Sequence, residues 1–165
     1  MNLLVCISKT PDTTAKILFK NNNTEFEDNG VQFIMNPFDE FYSLVRAIEL
    51  KEQFGGTVTV LNVGDSSNDV IIRKALAIGA DQAVRINAEP KDSFFIATQI
   101  AEYAKDKNFD VIFFGKETID YNGGEVQSMV AQILNYSFVN LASKLEINGD
   151  KALINRDIEG GIKKN

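Results

Sequence analysis

The chain has 165 residues, with 17 basic and 23 acidic side chains, one cysteine, and no histidine or tryptophan. The net charge of −6 disfavours nucleic acid as a partner, because polyanion binding needs a basic surface. The lack of histidine excludes Ser-His-Asp and Cys-His catalysis. The lone Cys6 excludes a disulfide framework and a zinc cluster. We therefore expect one soluble, cytoplasmic domain spanning residues 1–165, without a membrane span.

Buried strands alternate with helices along the first 134 residues. Residues 3–7 form a continuous apolar run, which predicts a central strand buried on both faces. Asn36 predicts a helix N-cap with Pro37 at the first helical position, followed by Asp39 and Glu40 facing the positive end of the helix. Further strands are predicted at 57–63, 82–86 and 111–114, and helices at 36–55, 71–79, 94–104 and 126–134.

Two stretches predict β-hairpins outside this alternation. Residues 16–34 are typical of a hairpin around the polar stretch 21–30. Residues 143–147 and 152–156 flank Asn148-Gly149, which is a strong hairpin-turn signal. Gly160-Gly161 predicts a turn with little chain after it.

Together these elements predict an α/β fold: an open, mostly parallel twisted sheet with helices on both faces, Rossmann-like, with peripheral β-hairpins. Such sheets bind ligands beyond the carboxyl ends of their strands. Four segments are expected at that edge, namely residues 6–9, 36–39, 63–65 and 115–128. The last is the longest, and its Gly123-Gly124 pair lets a ligand approach the backbone just before a helix.

These features also have ordinary structural explanations. Gly123-Gly124 fits turn chemistry as well as a phosphate site, and neither GxGxxG nor GxxxxGK[ST] is present. Cys6 lies inside an apolar run, so we expect a small core residue rather than a nucleophile. Phe38 and Phe41 are also expected in the core. The residues alone therefore predict an α/β domain with a candidate nucleotide pocket and no more specific function.

Seven segments, taken in order, resemble the β-subunit of electron transfer flavoproteins. They read LLVCISKTPD, MNPFDE, ALAIGAD, DVIFFGK, ID, LASK and DIEGG, beginning at residues 3, 35, 75, 110, 119, 141 and 157. The resemblance covers nearly the whole chain. It implies the N-terminal nucleotide-binding domain of a longer subunit, because family β-subunits continue past Gly160-Gly161 with a segment that embraces the partner.

The resemblance also implies an electron carrier without catalytic residues of its own. In the family, the β-subunit binds AMP, or a second FAD in electron-bifurcating relatives, and pairs with an α-subunit that carries most of the redox-active FAD. The heterodimer carries electrons from dehydrogenases such as acyl-CoA dehydrogenases, as in fatty acid β-oxidation. The residues that match the family's nucleotide pocket are Cys6, Asn36, Pro37, Phe38, Asp39, Val63, Glu117, Thr118, Ile119, Asp120, Tyr121, Asn122, Gly123, Gly124, Glu125, Val126, Gln127 and Ser128.

The chain departs from the family at the start of the last predicted helix. Most members have Asn-Gln-Thr-Gly or Ala-Gln-Val-Gly where this chain has GEVQ at 124–127, so Glu125 brings a carboxylate toward the expected phosphate. Two other functions stay open. One is a stand-alone adenine-nucleotide-binding module of universal-stress type, and the other is an enzyme that uses Asp39 and Asp120 as paired carboxylates.

Overall fold

The structure is a computed structural model that describes residues 1–164. Its strands and helices alternate as the sequence predicts. The strands are β1 (Asn2–Cys6), β2 (Lys9–Pro11), β3 (Phe19–Lys20), β4 (Glu25–Phe26), β5 (Phe33–Met35), β6 (Thr57–Val63), β7 (Gln82–Ile86), β8 (Val111–Phe113), β9 (Ala142–Asn148), β10 (Lys151–Ile158) and β11 (Gly161–Lys164). The helices are α1 (Glu40–Phe54), α2 (Asp69–Ile78), α3 (Ser93–Ala104) and α4 (Val126–Leu134), with a short 3₁₀ turn at Ser66–Asn68.

The central sheet is parallel, with the strand order β7-β6-β1-β8. β1 lies inside this sheet, and its residues Leu3, Leu4 and Val5 are fully buried. Leu3 and Val5 belong to a core cluster with residues of α1 and α2, while Leu4 belongs to a second cluster with residues of α3 and α4. Successive side chains of a strand point to opposite faces, so helices cover both faces. The predicted α/β architecture is confirmed.

The start of α1 corrects the prediction. The helix begins at Glu40, and residues 37–39 form a turn before it. Asp39 stands at the N-cap with the left-handed φ of 69°, and its carbonyl accepts the first helical hydrogen bond from Ser43 N–H at 2.8 Å. Asn36 is therefore not the N-cap, and Pro37 is not the first helical residue. The Asn36 side chain serves a tertiary contact instead, described below.

Residues 9–35, called here the N-terminal excursion, form two short antiparallel ladders, one inside the other, rather than one hairpin. β2 pairs with β5, so that Thr10 lies opposite Ile34, and β3 pairs with β4 inside this loop. The apolar residues Ile17 and Leu18 belong to neither ladder and are exposed. The prediction was right about antiparallel structure and wrong about its extent, since residues 33–35 pair with residues 9–11, which follow β1.

The C-terminal part is a three-stranded antiparallel sheet in the order β11-β10-β9. The predicted hairpin is confirmed: Asn148 pairs with Lys151 across a turn in which Gly149 has a φ of 63°. β11 pairs with β10 beyond residue 160, where the sequence predicted little more than a turn. Within residues 1–164, no helix combines the length and apolar character needed to cross a bilayer.

Candidate functional site

The carboxyl ends of β1, β6 and β8 lie at the same edge of the sheet, because all three strands run parallel. The four segments that the sequence singles out follow these ends or lead into α1 at this edge. Their side chains and backbone groups are joined by hydrogen bonds between segments that are distant along the chain. These bonds define the candidate site.

Asn36 joins the entry to α1 with the loop after β8. Its side chain is buried, with 1% of its surface exposed. The Nδ2 group donates to the Glu117 carbonyl oxygen at 2.8 Å, and the Oδ1 atom accepts from Ile119 N–H at 3.3 Å. A buried amide that bonds through both ends fixes the position of its partners. Asn36 therefore holds residues 117–119 in place.

Glu40 joins the end of β1 to the same region. Its carboxyl accepts from Ser8 N–H at 2.8 Å, from Ser8 Oγ at 2.6 Å, and from Asn36 Nδ2 at 3.3 Å. Burial raises the pKa of Glu40 to about 8, although the bonds from Ser8 and Asn36 act in the opposite direction. The sequence placed Glu40 in the first turn of a helix, facing the helix dipole. Its role in the structure is a buried link between segments.

Cys6 and Val63 lie beneath this edge rather than at its surface. Both belong to the core cluster that Val126 packs against. Burial, and to a smaller extent the neighbouring Glu40 carboxyl, raise the pKa of the Cys6 thiol well above its usual range. The expectation of a core residue is confirmed for Cys6.

A pair of asparagines, Asn62 and Asn68, joins the ends of β1 and β6. Asn62 Nδ2 donates to the Ile7 carbonyl oxygen at 2.9 Å, and Asn68 Nδ2 donates to Asn62 Oδ1 at 2.8 Å. A Cβ on Gly64 would lie 2.1 Å from Asn68 Nδ2, so only glycine leaves room for this pair. The sequence analysis missed Asn62 and Asn68. The signal was a polar residue inside the apolar run 57–63.

The loop between β8 and α4 is closed on itself. Thr118 N–H donates to the Gly123 carbonyl oxygen at 2.9 Å, and Asn122 N–H donates to the Thr118 carbonyl oxygen at 2.8 Å. The buried Gln127 at the start of α4 donates from Nε2 to the Lys116 carbonyl oxygen at 3.0 Å. Gln127 therefore holds the start of the loop at Lys116, and Asn36 holds residues 117–119.

Glu125 turns its carboxylate back onto the loop. It accepts from Gly124 N–H at 2.8 Å and from Ser93 Oγ at 3.0 Å. The Gly124 amide, followed by the Ser93 hydroxyl, lowers the pKa of Glu125. The Gly124 N–H group, which would otherwise be free to donate to a phosphate, is thus already bonded to the Glu125 carboxylate.

The loop residues next to the edge present a mostly open surface. Pro37, Phe38, Asp39, Asp120, Tyr121, Asn122, Glu125 and Ser128 are exposed. The prediction that Phe38 and Phe41 are core residues was wrong, because 44% and 42% of their surfaces are exposed. Helix α1 begins after the turn, which directs both rings away from the two core clusters. Lys116 Nζ lies 5.9 Å from the centre of the Phe38 ring.

Two surface grooves, of about 400 and 410 Å³, lie elsewhere. They are lined mainly by the N-terminal excursion, including Asp12 and Gln32, and the second also by Tyr42 and Lys74. Pro37 is the one predicted pocket residue that lines either groove. Across residues 1–164, no group of three or more His, Cys, Asp or Glu side chains is placed to hold a metal ion.

The fold defines a doubly wound α/β protein, a class whose ligands bind at the carboxyl edge of the sheet. A family model described as the electron transfer flavoprotein domain matches residues 24–164. The chain belongs to the electron transfer flavoprotein domain family. The resemblance that the sequence motifs indicated is thereby confirmed.

Curated relatives agree with this assignment. The electron transfer flavoprotein subunit beta of Bacillus subtilis is 40% identical over 168 residues, covering 99% of this chain and 64% of the relative. The protein of the same name from Thermoanaerobacterium thermosaccharolyticum is 33% identical, covering 98% and 62%. Protein FixA of Azotobacter vinelandii is 32% identical, covering 98% and 60%. The chain thus spans less than two thirds of the length of each of these relatives.

Proposed function

We propose that this chain is the nucleotide-binding part of an electron transfer flavoprotein β-subunit, and that it holds AMP, or a second FAD, at the carboxyl edge of its parallel sheet. The observation that carries this proposal is the pair of bonds from the buried Asn36 side chain to Glu117 and Ile119. They bring the 36–39 segment against the 117–128 loop, and these two segments contain most of the proposed pocket residues.

The chemistry of the edge fits a nucleotide. Gly123 and Gly124 carry no side chain beside the start of α4. Their N–H groups donate to Thr118 Oγ1 at 3.2 Å and to Glu125 Oε2 at 2.8 Å. The exposed Phe38 ring offers an apolar surface of the kind that a purine ring contacts. A phosphate at this end of α4 has to displace Glu125 or take its hydrogen bonds from other groups of the loop.

In this proposal the chain binds and orients, and the flavin supplies the electron transfer. The partner is an α-subunit that carries most of the redox-active FAD, and the electron donor is a dehydrogenase of the acyl-CoA class, as in fatty acid β-oxidation. The chain is an electron-carrier subunit rather than an enzyme, and it acts in the cytoplasm. Membership of the family and the names of the curated relatives support the electron-carrier role and the α-subunit partner.

Two experiments test the proposal at separate points. Mass spectrometry of the supernatant from the denatured, purified protein should detect AMP or FAD. The absence of any nucleotide, together with no AMP binding by calorimetry, would count against the nucleotide pocket.

Co-expression with an electron transfer flavoprotein α-subunit should give a yellow complex of the two chains. A colourless homodimer that never captures flavin would instead favour a stand-alone nucleotide-binding module.

A further inference from the structure

The Glu40 carboxyl group is buried at the centre of the edge, with 5% of the residue exposed. Its donors come from Ser8, at the end of β1, and from Asn36, before α1. The segment that follows β8 also lies against Glu40, because a Cβ on Gly115 would be 2.7 Å from Glu40 Cγ. Three of the four edge segments therefore meet at this one side chain.

The contact continues from Glu40 into the loop. Asn36, which donates to Glu40, also donates to Glu117 and accepts from Ile119. The loop that contributes most of the proposed pocket is therefore positioned by a side chain that bonds to Glu40. Glu40 itself does not belong to the set of residues expected to touch a nucleotide.

The Ser8 hydroxyl allows the site to hold either protonation state of Glu40. A hydroxyl both donates and accepts. When Glu40 is ionised, Ser8 Oγ donates to its Oε1 atom at 2.6 Å. When Glu40 is protonated, its carboxyl O–H donates to Ser8 Oγ across the same contact. The hydrogen-bonded arrangement then stays the same, and the difference between the two states is the charge. Burial raises the pKa of Glu40 to about 8, so this charge changes within an accessible pH range.

We propose that Glu40 is a positioning residue of the nucleotide edge, and that the charge on its buried carboxyl group sets how well this edge accepts an anionic ligand. This inference rests on the proposed nucleotide function. A unit charge about 10 Å from a doubly charged phosphate, at an effective dielectric constant of about 20 and with the screening of about 0.1 M salt, weakens binding roughly tenfold. A ligand without a phosphate has no such interaction.

The effect of the Glu40 charge on AMP binding has to be distinguished from the effects of the other charged and titratable groups near it. The Cys6 thiol on β1 has a pKa raised well above its usual range. On the loop, Lys116 Nζ lies 4.0 Å from Glu117 Oε1. The groups to consider on the elements packed against Glu40 are Cys6, Asp39, Lys116 and Glu117. The E40Q variant isolates the Glu40 charge from all four.

The test is calorimetric titration of the full chain with AMP and with adenosine between pH 7 and 9.5, where the AMP phosphate already carries its full charge. In the wild type, AMP affinity should fall roughly tenfold as Glu40 ionises, while adenosine affinity stays constant. In E40Q, AMP affinity should not depend on pH in this range. The matched control is E52Q, an exposed carboxylate on the same helix, which should keep the wild-type pH dependence.

The same pH dependence in E40Q and in the wild type would overturn the inference, as would an equal fall for adenosine. If AMP binds at pH 7 and its affinity never changes, the inference is wrong and the proposed nucleotide pocket stands. If neither ligand binds at any pH, the proposed function fails first. Should E40Q not fold, S8A replaces it. The Ser8 hydroxyl bonds more strongly to the ionised carboxylate than to the neutral carboxyl, so its loss should move the fall in AMP affinity to higher pH. An unmoved midpoint in S8A would contradict the inference.

Discussion

The Asn36 Nδ2 atom lies 2.8 Å from the Glu117 carbonyl oxygen, although the two residues are 81 positions apart in the chain. This bond brings the end of the N-terminal excursion against the loop that follows the edge strand β8. Because Asn36 is buried, the bond is shielded from competing water. Its contribution to stability and to ligand binding can be measured by removing the amide.

The N36A variant should lose stability and nucleotide affinity together. It removes the partner of the Glu117 carbonyl oxygen and of the Ile119 N–H. Both bonds are partly buried, so the cost of each should lie toward the lower end of the about 1–3 kcal/mol expected for a fully buried group. Urea unfolding should show this loss, and calorimetry should show weaker AMP binding because residues 117–119 are no longer held. Q53A, at an exposed position on α1, should change stability by about 0.5 kcal/mol or less. Wild-type stability in N36A would mean that the bond does not hold the loop.

Replacement of Gly115 tests how closely the segment after β8 approaches the turn and the first residue of α1. A Cβ at this position would lie 2.5 Å from the Phe38 carbonyl oxygen and 2.7 Å from Glu40 Cγ. G115A should therefore destabilise the fold by about 1–3 kcal/mol, as expected for overpacking. G161A is the matched control, since nothing lies within 4 Å of its added Cβ. Equal midpoints of G115A and G161A in urea would show that the contact is looser than described.

Glu40 should make the protein less stable as the pH rises from about 4.5 to 8. Burial raises its pKa from 4.5 to about 8 in the folded state. Between these values the unfolded chain has released the proton and the folded chain still holds it. The unfolded state then binds fewer protons, so the unfolding free energy falls with rising pH, by a few kcal/mol in total, and levels off above pH 8.

The measurement is urea unfolding of the wild type and E40Q between pH 5 and 9. The difference between the two proteins removes the contributions of the other acidic groups, such as Asp81 and Glu125, whose lowered pKa values act at lower pH. The wild-type free energy should decline relative to that of E40Q across this range. Parallel curves would show that the Glu40 carboxyl is solvated.

Cys6 should be chemically inert in the folded protein. The thiol is buried, and its pKa is raised, so the thiolate that reacts with alkylating agents is scarce. Mass spectrometry after exposure to iodoacetamide at pH 8 should show little modification of the native chain and complete modification in urea. Rapid labelling of the native chain would place Cys6 at the surface of the edge rather than in the core beneath it.

The sequence pattern was sufficient for the central sheet. Thr57–Val63 forms a strand at the predicted position, because a strand buried inside a parallel sheet is rich in apolar and β-branched residues. Gln82–Ile86 also forms a strand where predicted, although it lies at the edge of the sheet and is only partly buried. Gly55 ends α1 as predicted, with a φ of 72°. These features depend on local preferences and on burial, which composition and periodicity reveal.

The pattern was insufficient where a side chain serves a distant contact. Asn36-Pro37 has the local features of a helix start, yet the Asn36 amide bonds to residues 117 and 119 and the helix begins at Glu40. Glu40 looks like a dipole-facing carboxylate and is instead buried against Ser8. The pairing of β2 with β5 around the inner ladder is likewise a choice among antiparallel partners that apolar periodicity does not distinguish.

The main proposal is that a nucleotide occupies the carboxyl edge of the sheet, between Asn36 and residues 117–128, which form the loop after β8 and the start of α4. A crystal structure of the chain grown with AMP tests it most directly. We expect density for the nucleotide beside the exposed Phe38 ring and the Gly123-Gly124 backbone, with the Asn36 bonds to Glu117 and Ile119 retained. Density for AMP in either of the two grooves lined by Asp12 and Gln32, or none beside Asn36 at saturating AMP, would overturn this proposal.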